Sequence, residues 1–358
     1  MAKAVKYLGG LMDEYSNKIV LSPAFKRTLE EIKKKGIKIP ARPDTEPIIF
    51  NEPAFTETRV IQLEDDNPKK LDPKNGHKFL DNIINSDDSK SLYAFDESVN
   101  KFTALEGKLF LLSLALVKHT YQNYIPSCLL QINFYTYMPG YGNEDRSIKS
   151  IKLPDTPESE SKKDYVELRN DFILKSVPND SIIIIDGPLI GEMLSSYNLK
   201  LIKKLSERNS VPIFLVKNSA GSLAINSSPK LTNKYNSDLH WAHKTLNIGE
   251  RSSLFRYVDN QNPDNTKVFC YIKAFKSSPE RFEVHPEIYK KNPELVKNLM
   301  DMVYYLMLVQ GTPLDPQARL IYVAERYAKA AIKLIKFTDI TNAIGLTPTI
   351  NQERFGWG

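Results

Sequence analysis

Hydrophobic and polar positions change their period along the chain, and the changes mark its elements. Ser91 to Phe95 is β-prone and runs straight into Asp96; Lys108 to Lys118 is almost wholly apolar. Ser127 to Met138 alternates Leu130, Ile132 and Phe134 with Gln131, Asn133 and Tyr135, the period of a strand with one covered face. Gly107 and Pro126 fall near the breaks, so these three stretches are expected to pair as an antiparallel meander. Asp164 to Val177 then places Tyr165, Leu168 and Phe172 at helical spacing, and Pro178 ends the helix. Four consecutive isoleucines, Ile182 to Ile185, predict a strand buried on both faces, because a strand covered on one side would alternate. Ile190 to Glu207 repeats Leu194, Tyr197, Leu201 and Leu205 at helical spacing, and Val211 to Val216 is a further buried strand that meets Lys217. A meander followed by βαβ crossovers is the arrangement of ribonuclease-H-like α/β folds, with a mixed sheet.

The flanks differ from this core. Residues 1–90 read as an N-terminal appendage with loops: a charged helix through KRTLEEIKKK between Pro23 and Gly36, a weak strand over Thr56 to Leu63, and a short helix around Lys78 to Ile84. Residues 91–290 form the expected core, with Pro139 to Lys163 as an exposed insertion. Residues 291–358 complete the domain with helices over Leu295 to Val309 and Gln317 to Lys336, and a tail carrying Phe355 and Trp357. Tyr and Met stripes in these helices read as core or as a subunit interface.

Composition narrows the class. A chain of 358 residues with 41% hydrophobic content can bury a sizeable core, which excludes a disordered protein. The net charge of +6 permits a polyanionic partner without requiring one. Cys128 and Cys270 cannot build a disulfide framework or a zinc cluster, and are expected as packed thiols in a reducing cytoplasm. The apolar run from Leu109 to Val117 is too short to span a membrane, and the first ten residues lack a secretory core, so a cytoplasmic protein is expected. A G-x-x-x-x-G-K-[ST] motif is missing, which disfavours an ATPase.

The candidate chemistry lies where strands end. Gly187 and Pro188 stop the isoleucine strand and leave Asp186 at the rim, where open α/β sheets collect ligands. If the first and fourth strands are neighbours, Asp96 joins it, and paired carboxylates at a rim suit hard divalent cations that bridge to phosphate. Asp164, Glu167 and Asp171 on the preceding helix are all available as a third acid. Each acid also has a bland reading as a solvated strand-end or helix charge.

AFDES around Asp96, VELR around Glu167, IIIIDGPL around Asp186 and FLVKNS around Lys217 together resemble the NurA nucleases. The likeness continues through ERSSLF at Glu250 to Phe255 and YIKAFKSSPERFEV at Tyr271 to Val284, over roughly Ser91 to Lys336. The resemblance implies a Mn²⁺- or Mg²⁺-dependent DNA nuclease, acting 5′ to 3′ on ends and on single strands in end resection and repair. A homodimer working with a HerA-type hexameric translocase is also implied, as are metal binding by Asp96, Glu167 and Asp186 and a phosphate-facing Lys217. Arg251 and Arg281 match positions that could bind the DNA backbone, although an Arg281–Glu283 ion pair reads equally well. Two departures stand out. Glu97 occupies a place where the family usually has Gly, and Ala324-Glu325 stands where it shows Ala-His. Either Glu325 or His285 then fills the histidine's part, or the chain is a weakened relative that binds DNA or regulates the translocase.

Overall fold

The first described element is an edge strand, β1 (Thr58–Gln62), followed by the two-residue β2 (Lys69–Lys70) and helix α1 (Pro73–Ile84). Asp72 caps α1 by accepting from the Lys74 N–H, and Pro73 takes the first helical position, where its missing N–H costs nothing. The computed structural model describes residues 58–85, 91–120, 123–139, 148–152, 155–190, 195–217, 221–227, 231, 234–260, 262–310, 316–343 and 345–349. All of these belong to one compact unit, Asp44–Gly358. The helix expected between Pro23 and Gly36 and the tail with Phe355 and Trp357 lie outside the described residues.

The expected order then appears. Strands β3 (Ser91–Thr103), β4 (Lys108–His119) and β5 (Tyr124–Thr136) form an antiparallel meander, with β6 (Ile148–Ser150) parallel to β5 at the edge. Helix α2 (Pro157–Ser176) leads to β7 (Ser181–Asp186), and α3 (Ser195–Ser206) leads to β8 (Val211–Val216). β7 pairs in parallel with both β3 and β8. The sheet order β8-β7-β3-β4-β5 is the ribonuclease-H-like arrangement, so this α/β fold has the mixed sheet that the sequence pattern predicts. The short helices α4 (Leu223–Asn226) and α5 (Asp238–Thr245) precede β9 (Glu250–Arg251), β10 (Phe255–Asp259), β11 (Lys267–Lys273) and β12 (Glu280–Val284). β12 pairs antiparallel with β8, which joins this second antiparallel group to the first in one twelve-stranded sheet.

The sheet is covered on both sides. One layer contains α1, α7 (Pro293–Gln310) and α8 (Arg319–Lys333), whose apolar residues meet Leu92, Ala94, Ile182, Ile184, Ile213 and Leu215. The other contains α2 and α3 and meets Tyr93, Phe95, Ile183, Ile185 and Phe214. This division explains the isoleucine run: successive residues face opposite layers, and both are dry. α6 (Pro286–Lys291) and α9 (Phe337–Ala343) complete the element order. Among the described residues no helix is long and apolar enough to cross a membrane.

Three details depart from the sequence reading. α2 starts at Pro157, inside the expected insertion, because Thr156 and Ser159 form a reciprocal capping box that the apolar spacing does not reveal. Cys270 is buried, but Cys128 on β5 is exposed and not packed. Residues 58–84 build into the core instead of hanging from it: β1 pairs β10, and α1 lies against α7. The α1–α7 approach is close at Gly76, where a Cβ would stand 2.1 Å from the Asp301 carbonyl oxygen. Asp301, itself buried, accepts from the Asp72 backbone N–H at 2.9 Å and the Asn75 amide at 2.8 Å. Gly76→Ala is therefore expected to cost about 1–3 kcal/mol through overpacking, measured as a lower urea midpoint at unchanged slope.

Candidate active site

Parallel pairing of β3 and β7 sets Phe95 beside Ile185, so the next residues, Asp96 and Asp186, are neighbours. Pairing with β7 stops at Phe95 while β3 continues, which leaves both acids at a notch in the sheet rim. The two-residue period fixes which way they face. Asp96 follows Ala94, Asp186 follows Ile184 and Lys217 follows Leu215, all on the α7–α8 side. The contacts agree: Lys217 Nζ lies 2.7 Å from Asp186 Oδ2 and 3.8 Å from Glu325 Oε2, and Glu325 projects from α8. Lys329, one turn further along α8, also holds Glu325.

Asp96 is 5% exposed. One of its carboxylate oxygens accepts the N–H of Glu97 at 2.7 Å; the other, Oδ2, is buried without a hydrogen-bond partner among the described residues. Burial, followed by repulsion from Asp186 and Glu97, pushes its pKa up to about 8 against the opposing pull of Lys217. Burial also raises Asp186, and Glu325 adds to this while Lys217 opposes it. For Lys217, burial acts to neutralise, but Asp186, Asp96 and Glu325 outweigh it and hold the ammonium above its ordinary value.

On the α2 side of the rim stands Glu97. Burial pushes its pKa up to about 6, moderated by the Tyr165 hydroxyl and the Arg169 guanidinium, and its Oε2 is buried without a hydrogen-bond partner among the described residues. Tyr165 and Arg169 are one helical turn apart and share the inward face of α2. Arg169 is 4% exposed; it donates to the Asn170 side chain at 3.0 Å and to Asn198 on α3. Asn198 in turn donates to the carbonyls of Pro188 and Leu189 at 3.0 and 2.8 Å. Buried Glu283 also accepts the Leu189 N–H at 2.7 Å. The turn that carries Asp186 is thus held by both Asn198 and Glu283.

Other sequence candidates lie elsewhere. Glu167 sits between Tyr165 and Arg169 and so points outward; it is exposed, and among the described residues no contact joins it to the rim. Asp164 is taken by Tyr135 at 2.8 Å and Lys149 at 2.5 Å, and Asp171 is exposed. Arg251 is 7% exposed and grips Glu64 through two bonds of 2.6 and 2.9 Å. Arg281 is 2% exposed, with Nε 2.7 Å from Glu283, which is the ion-pair reading of this residue. Neither guanidinium presents a surface to a DNA backbone. His285 follows β12, which runs antiparallel to β8 with Arg281 opposite Val216, so the histidine lies at the end of the sheet away from Lys217. Of the two residues considered for the histidine's part, Glu325 is the one that approaches. In the sequence Tyr165 reads as core apolar surface and the apolar spacing does not single out Arg169 or Asn198; polar residues on the inward faces of α2 and α3 are the available signal.

The donor set suits a hard divalent cation. Asp96 and Asp186 offer oxygen ligands, and the unpartnered Oδ2 of Asp96 is a buried lone pair that a cation would satisfy. Among the described residues no ready group of three His, Cys, Asp or Glu ligands is gathered. Two carboxylates completed by water and phosphate are an ordinary arrangement for Mg²⁺-like ions.

No curated protein matches the chain. The fold is similar to that of the NurA nuclease from Sulfolobus solfataricus, at 12% identity and a TM-score of 0.47, over 75% of this chain and 86% of that one. It is also similar to a NurA structure with manganese, at 10% identity and a TM-score of 0.41, over 75% and 92%. Endonuclease V from Bacillus subtilis shows 9% identity and a TM-score of 0.39, over 75% and 86%. The NurA domain profile matches residues 118–333, more than half of the sequence and the stretch that carries Asp186, Lys217 and Glu325, and the chain therefore belongs to the NurA domain family.

Proposed function

We propose that this protein is a divalent-metal-dependent DNA nuclease, with Asp96 and Asp186 as the metal-binding pair and Mn²⁺ or Mg²⁺ as the ion. The observation that carries the reading is the pairing of these two acids at the rim, with one buried carboxylate oxygen left over. Membership of the NurA domain family supports a nuclease function. When bound, the ion would lower the pKa of a water and offset charge on the scissile phosphate. Lys217 stays protonated beside the pair and is placed to hold a phosphate oxygen, adding a fixed positive charge where negative charge develops. Glu325 balances that ammonium from α8 and limits where it can swing. Action on DNA ends in the 5′ to 3′ direction and on single strands, a homodimer, and a HerA-type translocase as partner in end resection extend the reading on family resemblance.

A second reading, a weakened relative that binds DNA or regulates the translocase, is favoured by one observation: a carboxylate, Glu325, and not an imidazole approaches Lys217. Labelled single-stranded and blunt duplex DNA incubated with Mn²⁺ separates the two. The expected result is cleavage by the natural protein and none by Asp186→Ala. Binding without cleavage by the natural protein supports the second reading, and equal cleavage by both proteins removes Asp186 from the chemistry.

A further inference from the structure

Arg251 and Arg281 are engaged by carboxylates inside the fold, so further cations for a DNA backbone have to come from elsewhere. Helix α8 offers a set of them beside the rim. Between Arg319 and Lys333 it holds four basic residues, Arg319, Arg326, Lys329 and Lys333, against one acid, Glu325, a net charge of +3 (4 − 1) in 15 residues. That is half of the +6 carried by the whole chain.

Helical periodicity gathers this charge on one face. Leu320, Ile321, Ala324, Ala328 and Ile332 turn to the core. At about 100° per residue, Arg319, Tyr322, Arg326, Lys329 and Lys333 fall within an arc of about 80° on the other side, and Arg319, Arg326 and Lys333 follow one another at intervals of about 10 Å. Arg326, Lys329 and Lys333 are exposed, while Arg319 and Tyr322 are half-buried. Among the described residues Arg319, Arg326 and Lys333 have no carboxylate partner. The Arg319 guanidinium lies 5.5 Å from the centre of the Tyr124 ring, and that of Arg326 lies 6.0 Å from the centre of the Tyr322 ring. A guanidinium resting on an aromatic face keeps both its charge and its N–H donors.

A merely solvated helix face would mix its signs. Here Arg326 and Lys329, and Lys329 and Lys333, set like charges one turn apart, an arrangement that costs a helix stability and suits an anionic partner. The stripe is also fixed relative to the chemistry. Glu325 precedes Arg326, accepts from Lys329 and comes within 3.8 Å of Lys217, which lies 2.7 Å from Asp186. Two ammonium groups balance the one acid of the helix, and the stripe beside it stays positive. Basic groups interleaved with aromatic rings and continuous with a nuclease site fit a nucleic-acid strand, whose phosphates meet the cations.

We infer that the exposed face of α8 binds the phosphodiester backbone of a DNA strand, with Arg319, Arg326 and Lys333 as successive phosphate contacts, and leads that strand past the Asp96–Asp186 rim. The inference rests on the proposed nuclease reading and names the surface that presents its substrate.

The test is binding of the full chain to a labelled single-stranded oligonucleotide in metal-free buffer across a series of salt concentrations, with a blunt duplex of the same length as a second arm. Each phosphate contact steepens the fall of log affinity with log salt by about 0.7 on a single strand and about 0.9 on a duplex. Arg326→Gln combined with Lys333→Gln is expected to make that fall shallower by about 1.4 on the single strand, or by about 1.8 on the duplex if that form lies on α8. Gln is about as good a helix former as Lys or Arg, so the variant keeps α8. Arg326→Lys combined with Lys333→Arg keeps both charges and should keep the natural slope. Lys203→Gln combined with Lys204→Gln removes the same charge from exposed positions on α3, in the other layer, and should also keep it. An unchanged slope for the α8 glutamine pair in both arms would overturn the inference, as would an equal loss for the α3 pair, which would make the effect one of overall charge. The expected loss of slope in a protein that never cleaves with Mn²⁺ would keep the α8 surface and sink the nuclease reading. Cleavage by the α8 glutamine pair at the natural KM would keep the nuclease and sink the α8 surface.

Discussion

Asp96→Asn is expected to abolish Mn²⁺-dependent DNA cleavage, by on the order of 10³-fold, while raising the melting temperature of the metal-free protein at pH 8. The two effects have one origin. The folded protein raises the Asp96 pKa from an ordinary carboxylate value to about 8, through burial and the facing acids. Between those limits the native state holds a proton that the unfolded chain releases, so stability falls as pH rises from about 4 to about 8. Asn cannot ionise and removes that loss. Mn²⁺ has the same effect by a different route, since it replaces the proton with a stronger counter-charge. Melting curves of the natural protein at pH 6 and pH 8 should therefore differ without metal and converge with it, and those of Asp96→Asn should change less in both comparisons, the remainder coming from Asp186 and Glu97. A variant that melts lower than the natural protein at pH 8 would show that the Asp96 carboxylate stabilises the fold.

The largest loss of stability is expected from Glu283→Ala. Glu283 is 0% exposed, and its carboxylate meets Lys267 Nζ at 2.7 Å, Arg281 Nε at 2.7 Å and the Leu189 N–H at 2.7 Å. Burial alone would favour its protonated form, but the two cations and the backbone donor hold its pKa below the ordinary value. Truncation takes a shared carboxylate away from two charged side chains, each no more than 2% exposed. Breaking a buried pair in this way costs about 3–5 kcal/mol, which a urea titration reads as a large drop in midpoint. Cleavage should fall even under conditions where the variant is folded, because the Leu189 anchor behind the Asp186 turn is lost. A cost under about 1 kcal/mol would mean that water enters and solvates the two cations.

The parts of this fold that were legible in the sequence are those where a local pattern and a buried layer coincide. Ile182 to Ile185 fills both layers at once, and Leu109 to Val117 does the same in β4, so apolar runs announced central strands. The rim followed from Gly187 and Pro188. The β3–β7 pairing that brings Asp96 to Asp186 had to be assumed, since register across a parallel crossover leaves no local trace. The helix acid was the hardest to read: Glu167, Asp164 and Asp171 differ in role only through the rotation of α2, and the polar residues Arg169 and Asn170 on its buried face blur the apolar stripe that would report it. Residues 58–84 looked peripheral because their partners, β10 and α7, lie far along the chain.

That last separation bears on how the molecule is made. β1 completes its hydrogen bonds only with residues 255–259, and α1 finds its apolar partners on a helix that begins at Pro293. A ribosome adds roughly 5–20 residues per second, so the first strand waits on the order of ten seconds or more for its neighbour to emerge. During synthesis the emerging chain must keep that strand and the apolar face of α1 from pairing elsewhere, and the short β1, with Arg59 and Gln62 flanking its two apolar residues, offers little for a stray strand to join.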